Sequence, residues 1–350
     1  MQKFKSAQEI KVGVVGYGGA FNMGRNHLTA MQKVGMTPFA VCELDAERLA
    51  VAGQDFPGIE TYDRLETMLE ASDVNLLVHI TPHNLHFPLA AKCVKAGKHV
   101  VTEKPFVINT AEADKLIKLA EQNDVMVSTF HNRHWDGNIL RAVREIVEKQ
   151  SIGEVFRIDA SMGNYAMPRP WWRTSQSVSG GVLYDWGVHL LEYSLQLIDA
   201  QVTEVAGFAK RGFWESQAKK DFPWIGDMNE DEASAVVRFD NGAFINLSIS
   251  QLKAQASPHI LTVHGTRGTY AFGHPEWSTY KPNRQGEIVE KSGKNPKSDG
   301  AKIFYQNIAD YLTDQAELVI TPQWARRPIH ILDLAGRSAR QNKTLKAKYG

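Results

Sequence analysis

Cysteine is scarce in this chain, with only Cys42 and Cys93 among 350 residues. Cys42 ends a predicted buried strand and Cys93 lies in a predicted helix, so we expect both to be small core residues and not a disulfide pair. A scaffold held together by disulfides is thereby excluded, and a reducing cytoplasm is the expected compartment.

The chain also has no excess of positive or negative charge and no long apolar run. Lys plus Arg total 40 and Asp plus Glu total 39, which leaves no bulk field to attract nucleic acid or an anionic membrane. No apolar run approaches the ~20 residues of a membrane span, and the N-terminal segment lacks the apolar core of a signal peptide. We therefore expect no nucleic-acid or membrane partner, and a globular chain long enough for roughly two domains.

Up to about Phe130 the pattern alternates short apolar runs with segments of helical period. Unbroken runs such as LLVHI are typical of strands in a parallel sheet that is covered on both faces. The predicted strands are Val12–Val15, Phe39–Cys42, Leu76–Ile80, His99–Thr102 and Val125–Thr129. The predicted helices are Met23–Val34, Ala46–Ala52, Arg64–Ala71, Phe87–Ala96 and Ala111–Gln122. Residues 1–130 are thus predicted to form a Rossmann-type, doubly wound parallel sheet, with ligands at the carboxyl ends of its strands.

After Phe130 strand-like segments dominate, from VFRIDASMG to GTYAF. Asn241-Gly242 between two of them signals a hairpin, and the polar stretch Pro275–Gly300 reads as a surface loop. Helices are expected over Ile139–Glu148, Ile303–Asp314 and Pro328–Ser338. Residues 131–350 are therefore predicted to form an α/β domain with an open, mostly antiparallel sheet.

The first strand runs directly into a glycine loop that contains Gly16, Gly18, Gly19 and Gly24. Gly16 would allow a tight turn, and Gly18 would let backbone N–H groups approach a pyrophosphate at the positive end of the next helix. The spacing departs from G-x-G-x-x-G, since Gly19 comes early and Gly24 comes late. The alternative is an ordinary glycine-rich turn after a buried strand.

An acidic residue, Glu43, follows the second predicted strand. In a dinucleotide fold an acid at this place hydrogen-bonds the adenosine ribose and repels a 2′-phosphate. Glu43 therefore favours NAD as the cofactor, while Arg25 and Arg48 nearby in sequence keep NADP open.

Two further motifs contain candidate catalytic residues. Thr102-Glu103-Lys104-Pro105 follows a predicted parallel strand, which places Lys104 at the carboxyl edge where a nicotinamide should reach. The segment Ser179–Ile198 reads as one helix with Ser179 as N-cap. Asp185 and His189 are neighbours on it at i and i+4, an arrangement that suits a general base. The alternatives are a surface lysine and a solvated helix face with a chance Asp–His pair.

These motifs occur in the same order as in the glucose–fructose oxidoreductase / inositol dehydrogenase (Gfo/Idh/MocA) family, which the chain resembles over nearly its whole length. Thr81-Pro82 followed by His86, and the H-G-T-x-G-T turn at His264–Thr269, are also similar. The resemblance implies an NAD(P)-binding Rossmann domain followed by an α/β domain whose open sheet mediates homodimers or homotetramers. The chain departs from the family in its longer glycine loop, at His83 and at Trp186.

The resemblance also implies roles for individual residues in a reversible hydride transfer between nicotinamide and a carbinol carbon. Its catalytic residues fall on Lys104, Asp185 and His189. His189 would take the hydroxyl proton as general base, Lys104 would hydrogen-bond the same oxygen, and Asp185 would orient His189 or bind a neighbouring hydroxyl. The expected cofactor-binding residues are Gly16, Gly18, Gly19, Gly24, Glu43, Thr81, Pro82, His86, Glu103 and Lys104.

Two aromatic and polar segments, NYAMPRPWWRTSQS and HNRHWDGN, indicate the substrate. Aromatic faces can pack against sugar rings and Arg can pair with hydroxyls or a carboxylate, so a sugar, cyclic polyol or sugar acid is expected. The predicted substrate-binding residues are Asn132, His134, Trp135, Tyr165, Trp171, Trp172, Arg173, Asp185 and His189. One of Trp171 and Trp172 is expected to be a core residue instead, because Trp is mostly buried.

Three functional classes stay open: an NAD-dependent dehydrogenase of a carbohydrate alcohol, a glycosidase that oxidises its sugar transiently with held NAD, and a non-catalytic sugar- or NAD-binding regulator. Lys104, Asp185 and His189 together argue against the regulator and favour the dehydrogenase. No metal site is predicted, because the pairs His83-x-x-His86 and His131-x-x-His134 lack a Cys partner or an H-E-x-x-H pattern.

Overall fold

The computed structural model describes residues 1–18, 21–255 and 257–348. The chain divides into two compact units: unit 1 comprises Met1–Asn132 and Asp299–Arg326, and unit 2 comprises Arg133–Ser298 and the chain from Arg327 onward. Unit 1 thus includes a segment, Asp299–Arg326, that the expected division at residue 130 assigns to the second domain. The assignment of cofactor binding to one unit and substrate binding to the other stays a prediction.

Unit 1 is built on a parallel sheet. Its strands are β1 (Lys11–Val15), β2 (Thr37–Cys42), β3 (Glu60–Tyr62), β4 (Leu76–His79), β5 (His99–Thr102) and β6 (Val127–Thr129). They form six strands in the order β3-β2-β1-β4-β5-β6, and β4, β5 and β6 are buried at every position. The predicted parallel sheet is confirmed. The pattern missed β3, because its sequence ETY has no apolar run.

Five helices connect these strands. They are α1 (Met23–Lys33), α2 (Ala46–Asp55), α3 (Leu65–Ala71), α4 (His86–Lys95) and α5 (Thr110–Gln122). The Asp45 side chain accepts hydrogen bonds from two first-turn N–H groups of α2, and Asn109 caps α5 in the same way, which satisfies N–H groups that lack a partner inside the helix. All five predicted helices are present, with ends that differ by a few residues.

Unit 2 contains the second sheet. Its strands are β7 (Val155–Gly163), β8 (Val202–Lys210), β9 (Glu232–Phe239), β10 (Phe244–Ser250), β11 (Leu261–Gly265), β12 (Gly268–Phe272), β13 (Glu276–Pro282), β14 (Ile288–Lys294) and β15 (Leu345–Lys346). They form one sheet in the order β14-β13-β12-β11-β7-β10-β9-β8-β15. Among the described residues of this second sheet only the β7–β10 pair is parallel, so the mostly antiparallel sheet is confirmed.

The remaining helices follow the same chain order. They are α6 (Gly137–Val143), α7 (Gln176–Ser179), α8 (Leu183–Leu195), α9 (Phe213–Gln217), α10 (Gly300–Leu312) and α11 (Pro322–Gln341). In unit 2, α8 lies on one face of the sheet against β7 and β10. Along β9 and β10 buried and partly exposed residues alternate, because the other face of this antiparallel sheet stays open.

The predicted surface loop Pro275–Gly300 is wrong over most of its length, since it contains β13 and β14. All but one of the side chains of β14 are exposed and several are charged, as is common for an edge strand that must not pair with other chains. The turn between the two strands has Gly286 at φ +83°. The apolar signal for these strands is weak because β13 and the edge strand β14 bury few side chains.

The C-terminal part of the chain contains the two expected helices. In unit 1, α10 begins after Asp299, whose side chain accepts a hydrogen bond from the Lys302 N–H, and α10 packs against α1. The helix α11 begins earlier than predicted, at Pro322, where the missing N–H of proline is harmless. No helix within residues 1–18, 21–255 and 257–348 has the length and apolarity to cross a lipid bilayer.

Candidate active site

The glycine loop follows β1 at Gly16, whose φ of +99° lies in the left-handed region. A Cβ at Gly16 would collide with the Ile80 carbonyl oxygen. A Cβ at Gly24 would approach the Tyr17 ring to 2.6 Å. At Gly18, by contrast, no described atom lies within 4 Å of an added Cβ. Close packing therefore requires glycine at Gly16 and Gly24, whereas the backbone at Gly18 is open to a ligand.

The acid predicted to bind ribose lies at this loop. Glu43 accepts a hydrogen bond from the Tyr17 N–H at 2.6 Å and one from the Asp45 N–H at 3.1 Å. The carboxylate that follows β2 therefore reaches the loop that follows β1, as a dinucleotide site requires. Gly19, also a predicted cofactor residue, lies outside the described residues.

The two arginines that keep NADP open are each close to a carboxylate. Arg25 lies 3.5 Å from Asp55, and Arg48 lies 3.6 Å from Asp45. The Tyr17 hydroxyl donates to Asp55 at 2.8 Å. Burial and this hydrogen bond raise the pKa of Tyr17 well above its usual range, so the phenol stays neutral.

Lys104 lies just beyond β5, at the carboxyl edge of the sheet. The Glu103 N–H donates to the His79 carbonyl oxygen at 2.9 Å, which extends the pairing of β4 and β5 by one residue. The Glu103 carboxylate accepts a hydrogen bond from the Lys104 N–H at 2.9 Å. Lys104 itself is half-buried. The position is the expected one, and the catalytic role of Lys104 stays a prediction.

His86 connects the turn after β4 to the loop after β5. Its two ring nitrogens lie 2.7 Å from the Pro105 carbonyl oxygen and 3.1 Å from the Thr81 carbonyl oxygen. The ring is fully buried, and burial lowers the pKa of His86. Pro82 precedes a short 3₁₀ turn, His83–Leu85. His86 therefore lies between two loops, and as a neutral ring it donates to one of the two carbonyl oxygens. Its predicted contact with a cofactor stays a prediction.

The chemistry of this edge of unit 1 fits a dinucleotide. Parallel strands end at one edge, so Gly16, Glu43, Thr81 and Lys104 follow β1, β2, β4 and β5 at the same side of the sheet. The buried Thr81 hydroxyl has no hydrogen-bond partner among the described residues, as expected for a group that a ligand would satisfy. The open backbone at Gly18 suits a pyrophosphate and the Glu43 carboxylate suits a ribose. The Thr81 hydroxyl suits the nicotinamide end of the cofactor.

In unit 2 the predicted single helix Ser179–Ile198 is interrupted at its start. Gly180 and Gly181 have φ values of +90° and +130°, which separate α7 from α8 because few other residues adopt such angles. Ser179 is therefore not the N-cap of α8. Instead, the Val182 N–H at its start donates to the Glu230 carboxylate at 3.0 Å, a partner that the sequence pattern missed.

Asp185 and His189 lie on the first turns of α8. His189 is 4% exposed, and the Trp186 ring packs edge-on against it at 5.4 Å. The Asp185 carboxylate accepts a hydrogen bond from the Arg173 guanidinium at 2.6 Å. Beyond its first turn α8 is buried throughout, so His189 does not lie on a solvated helix face, whereas the Asp185 side chain is 38% exposed.

The aromatic and basic segment lies beside the same helix. The Arg173 guanidinium lies 5.3 Å from the Trp171 ring centre and 4.9 Å from the Trp172 ring centre, within the range of cation–π attraction. The Asn229 amide donates to the Arg173 carbonyl oxygen at 2.6 Å. Trp171 and Trp172 are both half-buried, so neither is the pure core residue that we expected one of them to be.

His134 forms a histidine–carboxylate pair with Glu192 in unit 2. Its Nδ1 lies 2.6 Å from Glu192 Oε1, and the Gln196 side chain donates to Glu192 Oε2 at 3.0 Å. Glu192 is fully buried, and the Trp135 ring packs against His134 at 4.7 Å. Sequence reasoning missed this pair, although the spacing of Glu192 three residues after His189 already put it near the predicted site.

The last two predicted substrate residues lie in different surroundings. Tyr165 is 55% exposed, and the Trp214 ring packs edge-on against it at 5.2 Å. Asn132 begins a short 3₁₀ helix that ends at Trp135, and it is the last residue of the first segment of unit 1. No group of three or more His, Cys, Asp or Glu among the described residues is arranged to hold a metal ion.

Comparison with known proteins finds two family models that match consecutive parts of the chain. The model described as an oxidoreductase family with an NAD-binding Rossmann fold (GFO/IDH/MocA) matches residues 10–131. The model of the GFO/IDH/MocA C-terminal domain matches residues 140–271. The match therefore extends over both units.

Individual relatives are similar over most of their length. A scyllo-inositol 2-dehydrogenase (NADP(+)) of Bacillus subtilis is 24% identical over 97% of this chain and 97% of its own length. A myo-inositol 2-dehydrogenase of Thermotoga maritima is 26% identical over 74% of each chain. The solved structure of a levoglucosan dehydrogenase with NADH and levoglucosan superposes with a TM-score of 0.82 at 17% identity, over 97% of this chain and 99% of the other. At that identity the superposition speaks for the fold alone.

Proposed function

The chain belongs to the GFO/IDH/MocA family of oxidoreductases with an NAD-binding Rossmann fold, and from that premise we propose that it oxidises or reduces a carbinol carbon of a sugar, cyclic polyol or sugar acid. A bound NAD(P) supplies the nicotinamide that accepts or returns the hydride. The observation that carries the proposal is the contact between the Glu43 carboxylate and the Tyr17 N–H of the glycine loop. It brings the acid and the loop that dinucleotides need to one edge of the sheet.

We propose that NAD is preferred over NADP. The Glu43 carboxylate would hydrogen-bond the ribose hydroxyls and repel a 2′-phosphate, and Arg25 and Arg48 already have carboxylate neighbours. The NADP-dependent relative from Bacillus subtilis makes this preference worth measuring directly. Fluorescence titration should give a dissociation constant at least about tenfold lower for NAD, and Glu43→Gln should reduce that ratio. A clear preference for NADP would overturn the argument from Glu43.

The proton is handled by Lys104 and His189 in this proposal. His189 takes the hydroxyl proton as general base, and Lys104 hydrogen-bonds the same oxygen and stabilises the negative charge that develops on it. Asp185 orients His189 or binds a neighbouring hydroxyl. The hydrogen bond from Arg173 supports either role, because it holds the Asp185 carboxylate in one orientation.

The substrate class follows from the residues beside α8. Trp171, Trp172 and Arg173 combine aromatic faces with a cation, which suits the C–H faces and hydroxyls of a sugar or polyol. The names of the relatives, which act on inositols and levoglucosan, agree with this class. Asn132, His134, Trp135 and Tyr165 are proposed as further substrate contacts.

We also propose a homodimer or homotetramer formed through the open face of the second sheet. That face carries a shallow depression lined by polar side chains such as Asp159, Asn246 and Ser248, beside the exposed Phe208. Light scattering of the purified protein would show a single subunit if the proposed assembly is wrong.

We propose a cytoplasmic location, with which the buried, free cysteines Cys42 and Cys93 agree.

The absorbance of reduced cofactor in the near ultraviolet tests the proposed reaction. Purified protein is mixed with NAD or NADP and a panel of sugars, inositols, sugar acids and glycosides. We expect reduction with one class of polyol and one preferred cofactor. If free sugar is released from a glycoside without net reduction, the proposed dehydrogenase is wrong and the reaction is a hydrolysis.

A further inference from the structure

A chain of buried polar groups lies behind the Lys104 loop in unit 1. His27 on α1 is 1% exposed and Tyr305 on α10 is fully buried. His27 Nδ1 lies 2.5 Å from the Tyr305 hydroxyl, and His27 Nε2 lies 3.0 Å from Glu103 Oε1. The other oxygen of Glu103 accepts the Lys104 N–H at 2.9 Å. The side chains of Tyr305, His27 and Glu103, which are far apart in the sequence, are therefore connected by successive hydrogen bonds to the backbone N–H of Lys104.

The Glu103 carboxylate determines which groups donate at its end of this chain of hydrogen bonds. An ionised carboxylate only accepts, so the His27 Nε2–H donates to Glu103. The Lys104 N–H is the second donor to Glu103. In the neutral tautomer with its proton on Nε2, His27 accepts the Tyr305 hydroxyl at Nδ1. Burial, with the nearby charge of Glu103, raises the pKa of Tyr305 well above its usual range. Burial opposes ionisation of Glu103 as well, but the hydrogen bonds from His27 and the Lys104 N–H, together with nearby positive charge, lower the pKa of Glu103 overall.

Aromatic packing holds the same groups in place. The Phe130 ring stacks on Tyr305 at 5.5 Å and packs edge-on against His27 at 4.3 Å. The Phe304 ring closes the other side of Phe130 at 5.1 Å. The imidazole and the phenol are therefore confined to orientations in which their hydrogen bonds can form.

Such a chain is not needed for stability. A buried carboxylate is costly to desolvate, and apolar side chains of similar volume commonly serve a core equally well or better. Buried polar networks that are fully hydrogen-bonded make one arrangement of the chain rigid. The rigid element here is the backbone that carries Lys104, which points to a role in function.

We propose that His27 and Tyr305 are positioning residues for Lys104, which they hold through the Glu103 carboxylate. The inference deepens the proposed function and rests on it for the role of Lys104 alone. Tyr305 belongs to the segment Asp299–Arg326, which returns to unit 1 after β14 of the second sheet. A distant part of the sequence thus completes the support of the proposed catalytic lysine.

Amide hydrogen exchange at Lys104 tests the proposal without any turnover. In Tyr305→Phe the ring packing stays and only the hydroxyl is lost, so His27 and then Glu103 gain freedom. We expect exchange of the Lys104 amide to be about fivefold faster, the factor that corresponds to one hydrogen bond of ~1 kcal/mol. Glu103→Gln should accelerate it further, because the amide group cannot accept from both donors. Amides of β1 should exchange as in the unaltered protein.

Tyr311→Phe is the matched control, since Tyr311 lies on the same helix and its hydroxyl contacts only the Met1 sulfur at 3.9 Å among the hydrogen bonds of the described chain. This variant should leave Lys104 exchange and turnover unchanged. In Tyr305→Phe we expect kcat to fall about fivefold, with the dissociation constant of the dinucleotide and the KM of the substrate unchanged.

The outcomes separate this inference from the proposed function. Unchanged Lys104 exchange in a folded Tyr305→Phe protein overturns the coupling, whether or not the enzyme turns over. Faster exchange with unchanged kcat overturns the positioning role. If no polyol is oxidised by the unaltered protein, the proposed function has failed, and the exchange measurement still decides whether Tyr305 and His27 hold the Lys104 backbone.

Discussion

Glu43 and His86 in unit 1 are held by backbone groups, whereas Asp185 and Glu192 in unit 2 are held by other side chains. In unit 1, Glu43 accepts from two backbone N–H groups, and His86 lies between two carbonyl oxygens. In unit 2, Asp185 pairs with Arg173 and Glu192 pairs with His134. The two groups of residues therefore depend on different properties of the sequence.

The kind of hydrogen-bond partner determines which substitutions each group of site residues tolerates. Backbone partners are supplied by the parallel sheet and its loops, so the geometry of unit 1 fails when a loop cannot adopt its conformation. Side-chain partners are supplied by single residues, so the geometry of unit 2 fails when one of them is replaced. Changes to glycines should therefore damage unit 1, and changes to charges should damage the site in unit 2.

The largest expected effect is on turnover. Lys104→Ala and His189→Ala should each lower kcat by about 10²- to 10⁴-fold, because both remove a group that handles the hydroxyl proton. The dissociation constant of the dinucleotide should stay within about twofold, the mark of a chemical and not a binding defect. Near-normal turnover in both variants, with the cofactor bound, would mean that the assigned roles are wrong.

The next largest effect is on the stability of unit 1. Gly16→Ala should lower the free energy of unfolding by about 3 kcal/mol, because the new Cβ combines a strained φ with a collision. Gly58→Ala is the matched control, since Gly58 has φ +87° but no described atom within 4 Å of an added Cβ; its cost should be about 1 kcal/mol. Urea unfolding measures both, and equal costs would contradict the close approach at Ile80.

A pH effect should follow from His79, which is fully buried in unit 1 and whose pKa burial lowers to about 3. The unfolded chain takes up this proton near pH 6.5 and the folded chain does not, so stability falls as pH falls from about 6.5 towards 3. Between pH 7 and pH 5 this residue should account for a loss of about 2 kcal/mol. His79→Leu should reduce the loss by that amount in urea unfolding at the two pH values. An unaltered difference between the two pH values would show that His79 is protonated in the folded protein.

The smallest effect concerns the ion pair in unit 2. Arg173→Ala removes the guanidinium that donates to the Asp185 carboxylate. The KM of the substrate should rise by about tenfold with little change in stability, since the pair is partly exposed. Arg169→Ala is the control: its guanidinium lies 5.9 Å from the Trp171 ring, so it tests the loss of a cation beside the aromatic rings. Similar KM values for the two variants would show that the contact with Asp185 is unimportant.

Most of the fold followed from periodicity, and the exceptions share a cause. The strands β3 and β14 lie at sheet edges and β13 lies beside β14. All three were missed or read as loop, because few of their side chains are buried and they carry little apolar signal. The break between α7 and α8 was missed because the apolar stripe continues across Gly180-Gly181, and only their φ values of +90° and +130° show the interruption. Hydrophobic periodicity reflects the burial of side chains. It therefore does not predict strands that bury few side chains, or a break in a helix where the apolar pattern continues.

The sequence by itself determined the alternation of strands and helices in unit 1, the glycine loop, and the placement of Glu43 and Lys104 at the carboxyl ends of strands. These features are local, or follow from the rule that parallel strands end at one edge. Only the tertiary structure decided that Arg173 holds Asp185, that His134 holds Glu192, and that Tyr305 and His27 lead to Glu103. The physical reason is that a hydrogen bond between side chains depends on distance and direction in space, which residues far apart in the chain acquire only when it folds.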